Sequence, residues 1–292
     1  MIFGRKKKAG SIEHEDEIQD DTLAEGSDAS VVEPVAAVQP DEAVAPGLDD
    51  ADTSGDDVAA VETEDGLDTE ALDATEWRTA GPFEVSELAD ADDEPADDQP
   101  RIDLGSIIVT PVPGSELRLQ VNESSDIVSA MLVLPVEGPA TNGAQPEVVG
   151  SSALELSAYA APRSGGLWAE LRDEIAEAAV EVGGTAELAT GPFGVELRRY
   201  LPVTTPEGEQ GYQPSRMWVA EGPRWLLRGI VYGIAAVESQ QDADPAVAAV
   251  HEAAVAAVLD VFREVVVRRG DEAMAPGDLL SMSMPADLQP AE

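Results

Sequence analysis

From Arg101 onward, apolar positions recur with two distinct spacings, and these divide the chain into strands and helices. Ile102, Leu104, Ile107, Ile108 and Val109, broken by Gly105, predict a short strand or pair of strands. Leu117, Leu119 and Val121 alternate with Arg118 and Gln120, the period-two pattern of a half-buried strand. A polar turn at 122–126 joins them to an apolar run at 127–134, which predicts a hairpin. Residues 135–150 hold three prolines and three glycines without periodicity and predict a loop. Leu154, Leu156, Ala158 and Ala160 then alternate with Glu155, Ser157 and Tyr159, giving another strand.

At Trp168 the spacing changes to three and four. Trp168, Leu171, Ile175, Ala178 or Ala179, and Val182 form one stripe, with Glu170, Asp173, Glu174, Glu177 and Glu181 on the opposite face. Ser164 is the expected N-cap before Gly165-Gly166, and Gly183-Gly184 supplies the left-handed end. Four strands are predicted next, at 185–189, 195–201, 215–220 and 224–232, with turns at 191–194, 206–208 and 221–223. A second helix is expected from an Asp244 cap with Pro245 at its first position. It carries Val247, Val250, Ala254, Val258, Val261 and Phe262, and is expected to end near 267–270, where Arg268 and Arg269 suit the negative end of the dipole. The Pro- and Gly-broken apolar stretch at 274–285 is expected to lie over the core. Strands, helix, strands, helix is an α+β order: a mostly antiparallel sheet of about eight strands covered by two main helices.

Upstream the pattern fails. Residues 13–75 contain no aromatic residue, and Pro34 and Pro40 interrupt the valines around them. Such a stretch buries too little apolar area to offset the roughly 1–2 kcal/mol per residue that ordering costs. The expectation is therefore a disordered acidic tail at 1–75 with a basic start. An arm at 76–88, docking Trp77 and Phe83, and an acidic linker complete 76–100. The domain is placed at 101–285, and 286–292 is a C-terminal tail.

Charge narrows the function classes. The 292-residue chain has 59 acidic and 17 basic residues, a formal net charge of −42. Such a polyanion repels phosphate backbones, so no general nucleic-acid binding is expected. No cysteine is present, which removes thiol nucleophiles and Cys-bound metals. No apolar core follows Arg5-Lys6-Lys7-Lys8, and no long apolar run follows later, so the expectation is a cytoplasmic protein without a transmembrane segment. Phe3 and the four basic residues allow at most weak peripheral membrane contact.

Four segments together are distinctive: Pro162-Arg163-Ser164-Gly165-Gly166-Leu167-Trp168, Gly191-Pro192-Phe193-Gly194-Val195-Glu196-Leu197, Gly222-Pro223-Arg224-Trp225-Leu226-Leu227-Arg228-Gly229, and the run from Val267 through Arg268-Arg269-Gly270 to Pro276. They resemble an uncharacterised actinobacterial family classed as a domain of unknown function, over about 76–285. The resemblance implies genomic company with a dUTPase and a small oligonucleotide-binding-fold protein, and supplies no catalytic residue.

Candidate chemistry is sparse. The two histidines, His14 and His251, lack a metalloprotease partner; no metal, cofactor, Walker loop, dinucleotide fingerprint or nucleophile elbow is expected. Two candidate contact sites stand out. Arg163, Ser164, Gly165 and Gly166 place an arginine, flexible glycines and free N–H groups at a helix start, a geometry that holds anions, although the same residues also make an ordinary cap. Arg216, Trp218, Arg224 and Arg228 are expected to form a flat patch for an anion or partner if their strands pair, although a solvated face of cross-strand ion pairs reads equally from these residues. Function is expected to be that of a noncatalytic protein-binding or adaptor module, with a small-ligand, anion-binding enzyme as the alternative.

Overall fold

The computed structural model describes residues 62–64, 66–88, 101–139, 146–205, 208–238 and 244–285. In chain order these form β1 (Glu62–Thr63), α1 (Thr69–Asp73), β2 (Phe83–Glu84), a 3-10 turn at Val85–Glu87, β3 (Ile102–Asp103), β4 (Ile107–Val109), β5 (Glu116–Val121), β6 (Ile127–Glu137) and β7 (Val148–Ala160). There follow α2 (Leu167–Glu181), β8 (Thr185–Gly191), β9 (Gly194–Thr204), β10 (Gln210–Gly222), β11 (Trp225–Gly233), a second 3-10 turn at Ile234–Ala236, α3 (Pro245–Glu264) and β12 (Val266–Val267).

The main sheet runs β1-β8-β9-β10-β11-β7-β6-β5. Seven of its strands pair antiparallel, and β1 adds in parallel at the β8 edge. A second sheet, β2-β12-β4-β3, takes the strand pair expected at 102–109 out of the main sheet. The α+β reading holds. Several boundaries shift: β6 continues to Glu137 and β7 begins at Val148, shortening the expected loop, while β9 runs on to Thr204 and β10 begins at Gln210. Pro135 is tolerated inside β6, paired with Ser151 of β7, because β5 ends its pairing at Val133 and leaves that side without a ladder bond to lose.

Alternation along the strands sends two sets of side chains to opposite faces. Leu188, Val195, Leu197, Met217, Val219, Leu226 and Ile230 pack with Trp168 and Ala176 of α2. Leu132, Leu154, Leu156, Trp218, Trp225, Leu227 and Val231 pack on the other side with α3 and the second sheet. Each helix covers half a face: α2 sits over β8 and β9, α3 over β7 and β6. Close approach of α3 explains Gly229, where an added Cβ would lie 2.5 Å from a Phe262 ring carbon. Asp244 caps α3 as expected, accepting from the Ala246 N–H. The helix stops at Glu264, however, and Val266–Val267 becomes a strand rather than a last turn. Arg268 accordingly serves Asp103, not the helix dipole.

The stretch at 62–75 also departs from expectation. Glu62–Thr63 joins the sheet, Leu67 and Leu72 pack beside the α2 core, and Asp73 forms an ion pair with the buried Arg172 at 2.6 Å. Leu72 and Asp73 on α1, Leu67 just before it, and the β1 ladder to β8 tie this stretch to the domain. The rest of the expected tail, the acidic linker beyond Leu88 and the tail at 286–292 lie outside the described residues, as do Pro206 and Glu207 of the turn expected at 206–208. In the arm, the Arg78 guanidinium lies between the rings of Phe83 and Trp225, 5.7 and 5.2 Å from their centroids, and grips Glu87 with two 2.9 Å bonds. Trp77 stays more exposed than a docked anchor, at 36%. The C-terminal stretch does return to the core, burying Leu280 and Met282.

Candidate functional site

At the start of α2 the chain fills its own anion position. Gly166, not Ser164, is the N-cap, and the Glu221 carboxylate of β10 accepts from the N–H groups of Gly166 and Trp168 at 2.9 and 3.0 Å. A carboxylate there satisfies orphan donors and meets the positive end of the helix dipole. Arg163 and Ser164 are exposed, and the Ser164 hydroxyl reaches only the Gly165 carbonyl, at 3.4 Å. Two of the N–H groups expected to serve a ligand, those of Gly166 and Trp168, are therefore taken.

The expected arginine patch is split. Arg216 pairs across strands with Val231, whereas Arg228 pairs with Val219, and these pairs lie on opposite faces. Arg216 and Trp218 point to the α3 side and converge on Glu196, which is 1% exposed. Arg216 donates to both carboxylate oxygens at 2.8–3.2 Å, the Trp218 indole donates at 2.7 Å, and Arg198 donates at 2.7 Å and also pairs with Glu238. Two guanidiniums on neighbouring strands are held side by side because one buried carboxylate sits between them. Arg224 is in neither group. It occupies the turn between β10 and β11 at φ +71, and its carbonyl accepts from Ala161 N–H and Arg269 Nε.

Arg228 stands instead on the α2 side, over the part of the sheet that α2 leaves open. Its guanidinium lies 5.2 Å from the centroid of the Tyr159 ring, and its cross-strand partner is Ser157. On the same face Tyr232 donates its hydroxyl to Glu155 at 3.2 Å. Burial and the Glu155 charge push the Tyr232 hydroxyl well above the usual tyrosine range, against the opposing pull of Arg199 and Arg228. Five charged or phenolic groups from three strands thus meet here. On the same face are the buried hydroxyls of Ser129 and Ser215, neither of which has a hydrogen-bond partner among the described residues.

Sequence reasoning reached Arg228 but missed Glu155, Tyr159, Arg199 and Tyr232. The signal was present in the alternation itself: Glu155, Ser157 and Tyr159 make one whole face of a central strand polar, which a helix-covered sheet does not need.

Two clefts open elsewhere on the α2 side. One of about 390 Å³ lies between α1 and α2 and includes Arg172, Asp173 and Glu177; one of about 160 Å³ lies beside Trp77, Trp168 and Phe193. Among the described residues no cluster of three or more His, Cys, Asp or Glu side chains is arranged to hold a metal.

The remaining surface of note is α3. Ala254, Val258, Val261 and Phe262 face the core, while Ala249, Ala253, Ala256 and Ala257 face outward; Val247, on the core stripe, is exposed in the first turn. The helix is long and apolar enough to cross a membrane, with a mean hydropathy of 1.6, yet it packs on the sheet by one stripe, and only 22% of its apolar window is buried.

The four sequence segments noted above fall at structural junctions: the α2 start, the β8–β9 turn, the β10–β11 turn and the chain leaving β12. A family described as a protein of unknown function (DUF3710) matches over residues 81–291. The chain belongs to the DUF3710 family. This agrees with the resemblance read from those segments. No curated protein and no solved structure matches the chain. The DUF3710 match covers α2, α3 and every strand of both sheets except the edge strand β1, and begins within the arm, after α1.

Proposed function

We propose that this DUF3710 protein is a noncatalytic, cytoplasmic protein-binding module, and that its partner docks on the outer face of α3. What supports the reading is the character of that helix: in a chain of net charge −42, its solvent side carries the exposed Ala249, Ala253, Ala256 and Ala257. Contiguous apolar patches on soluble surfaces commonly mark interaction sites. Small side chains also allow a partner helix to approach closely. The same side is acidic as well, with Glu252, Asp260 and Glu264 exposed on it. Charge complementarity therefore selects a partner with an apolar helix flanked by basic residues, and the acidic chain speeds its encounter. A second copy is disfavoured by self-repulsion of two such polyanions.

The alternative, a small-ligand, anion-binding enzyme using the helix start at Ser164 and the strand arginines, is weakened at the helix start, where Glu221 accepts from the Gly166 and Trp168 N–H groups. Ala253→Glu in the full chain tests the docking reading. Ala253 is exposed, so melting should change little, by about 0.5 kcal/mol or less. Recovery of a basic protein from the native cytosol should fall about tenfold or more, as expected for a charge placed in an apolar contact. Undiminished recovery, or flotation of the wild-type chain with neutral vesicles in place of protein capture, would reject it.

A further inference from the structure

Arg78, Arg118, Arg172, Arg198, Arg216 and Arg268 each pair with a carboxylate. Arg228 is half-buried and, like Arg101, Arg163, Arg224, Arg263 and Arg269, takes none among the described residues, although acidic side chains outnumber basic ones by 59 to 17. Its described contact is the Tyr159 ring. A guanidinium kept from carboxylates in so acidic a chain, and pre-oriented by stacking, is suited to an oxyanion from outside.

The neighbours fit the same ligand. Ser157 sits across from Arg228, and its hydroxyl donates to the Val128 carbonyl at 3.2 Å. Next to Val128, Ser129 points to the same open face, 2% exposed and with its hydroxyl unpartnered. A buried hydroxyl without a partner costs about 1–3 kcal/mol, a cost that an incoming acceptor removes. Tyr232 is bonded to Glu155 one row away, so Glu155 is already engaged and its negative charge is partly satisfied.

We propose that the open half of the α2 face, over β6, β7 and β11, binds a small oxyanion. Arg228 supplies the charge, Tyr159 orients it, and the Ser129 hydroxyl donates the second bond. The ligand class is a phosphate or carboxylate group. This site lies on the opposite face of the sheet from α3 and does not depend on the docking proposal.

The test is titration of the isotope-labelled full chain with inorganic phosphate and, separately, with acetate, following the Arg228 side-chain and Tyr159 ring resonances. Saturable shifts with one or both anions are expected, and the tighter anion identifies the ligand group. Arg228→Gln should weaken binding by about tenfold or more, the usual value of a charge-assisted bond, while Arg163→Gln at the occupied helix start should leave it unchanged. Ser129→Ala should weaken binding a few-fold yet leave melting unchanged or raised, because it removes an unsatisfied buried hydroxyl. Should Arg228→Gln fail to fold, the opposite movement of affinity and stability in Ser129→Ala carries the test. No shift with either anion, or equal affinity in both folded variants, overturns the proposal.

Discussion

Glu196→Ala is the most demanding perturbation of this fold. The carboxylate is 1% exposed and accepts from Arg216, Arg198 and Trp218. Removing it leaves the Trp218 indole N–H, on a residue 1% exposed, without its acceptor, at about 1–3 kcal/mol. It also sets two adjacent guanidiniums against each other. Their side chains are 15% and 21% exposed, so water relieves part of that cost, and about 1–2 kcal/mol is a reasonable share of the 3–5 kcal/mol for breaking a fully buried pair. The sum, about 2–5 kcal/mol, is a large fraction of the 5–15 kcal/mol that holds a typical domain. At about 2–4 °C per kcal/mol for a domain of this size, melting should fall by about 10 °C. Urea denaturation with Glu196→Gln as control separates the effects, because the amide oxygen still accepts from Trp218 while the charge is lost. A Glu196→Ala midpoint equal to wild type would refute the buried-carboxylate reasoning, and Glu196→Gln as damaging as alanine would refute the weight given to Trp218.

Two further outcomes follow from contacts outside the main sheet. Truncation to residue 76, which removes α1 and the Asp73 partner of Arg172, should lower stability by about 1–3 kcal/mol in a thermal melt, with Asp73→Asn reproducing part of the loss; unchanged melting would put 62–75 outside the fold. Asp103 is held below the usual carboxylate range by hydrogen bonds from Arg268, against burial and with help from the Gly105 N–H. At Glu87 burial pushes upward, but the bonds from Arg78 and the Glu84 N–H prevail and lower it. A lowered folded value means that each pair contributes fully above the ordinary carboxylate pKa of about 4 and is lost as pH falls through the lower folded value. Hydrogen exchange at Gly105 and Glu84, whose N–H groups donate to these carboxylates, should therefore lose protection on acidification before the main-sheet amides do; simultaneous loss everywhere would contradict it.

Much of the fold was legible because it is local. Asp244-Pro245 announces α3, Gly183-Gly184 ends α2, and alternation along 117–121 and 154–160 marks strands by their own side chains. What failed was long-range. The cap of α2 comes from Glu221, 53 residues beyond the Trp168 N–H it accepts from, and a Ser beside two glycines is the better local guess. The arginine patch failed on parity. Gly222 pairs with Trp225, so Arg228 falls opposite Val219 and away from Arg216, and no property of either strand alone sets that register. Glu196 reads as a polar residue between Val195 and Leu197, and only the fold brings Arg216 to it from 20 positions away. At 62–75 low apolar content was rightly noted, but Leu67, Leu72 and Asp73 found partners on an already folded surface.

The docking role of α3 is tested most directly by site-specific photo-crosslinking in cells. A photoreactive residue replaces Ala253 on the outer face of α3 in the full chain, and Glu174, exposed on α2, serves as the matched position. Docking predicts one discrete protein adduct from position 253, carrying a basic-flanked apolar helix, abolished by Ala257→Glu and absent from position 174. Equal adduct patterns from both positions, or lipid adducts alone from 253, would contradict it.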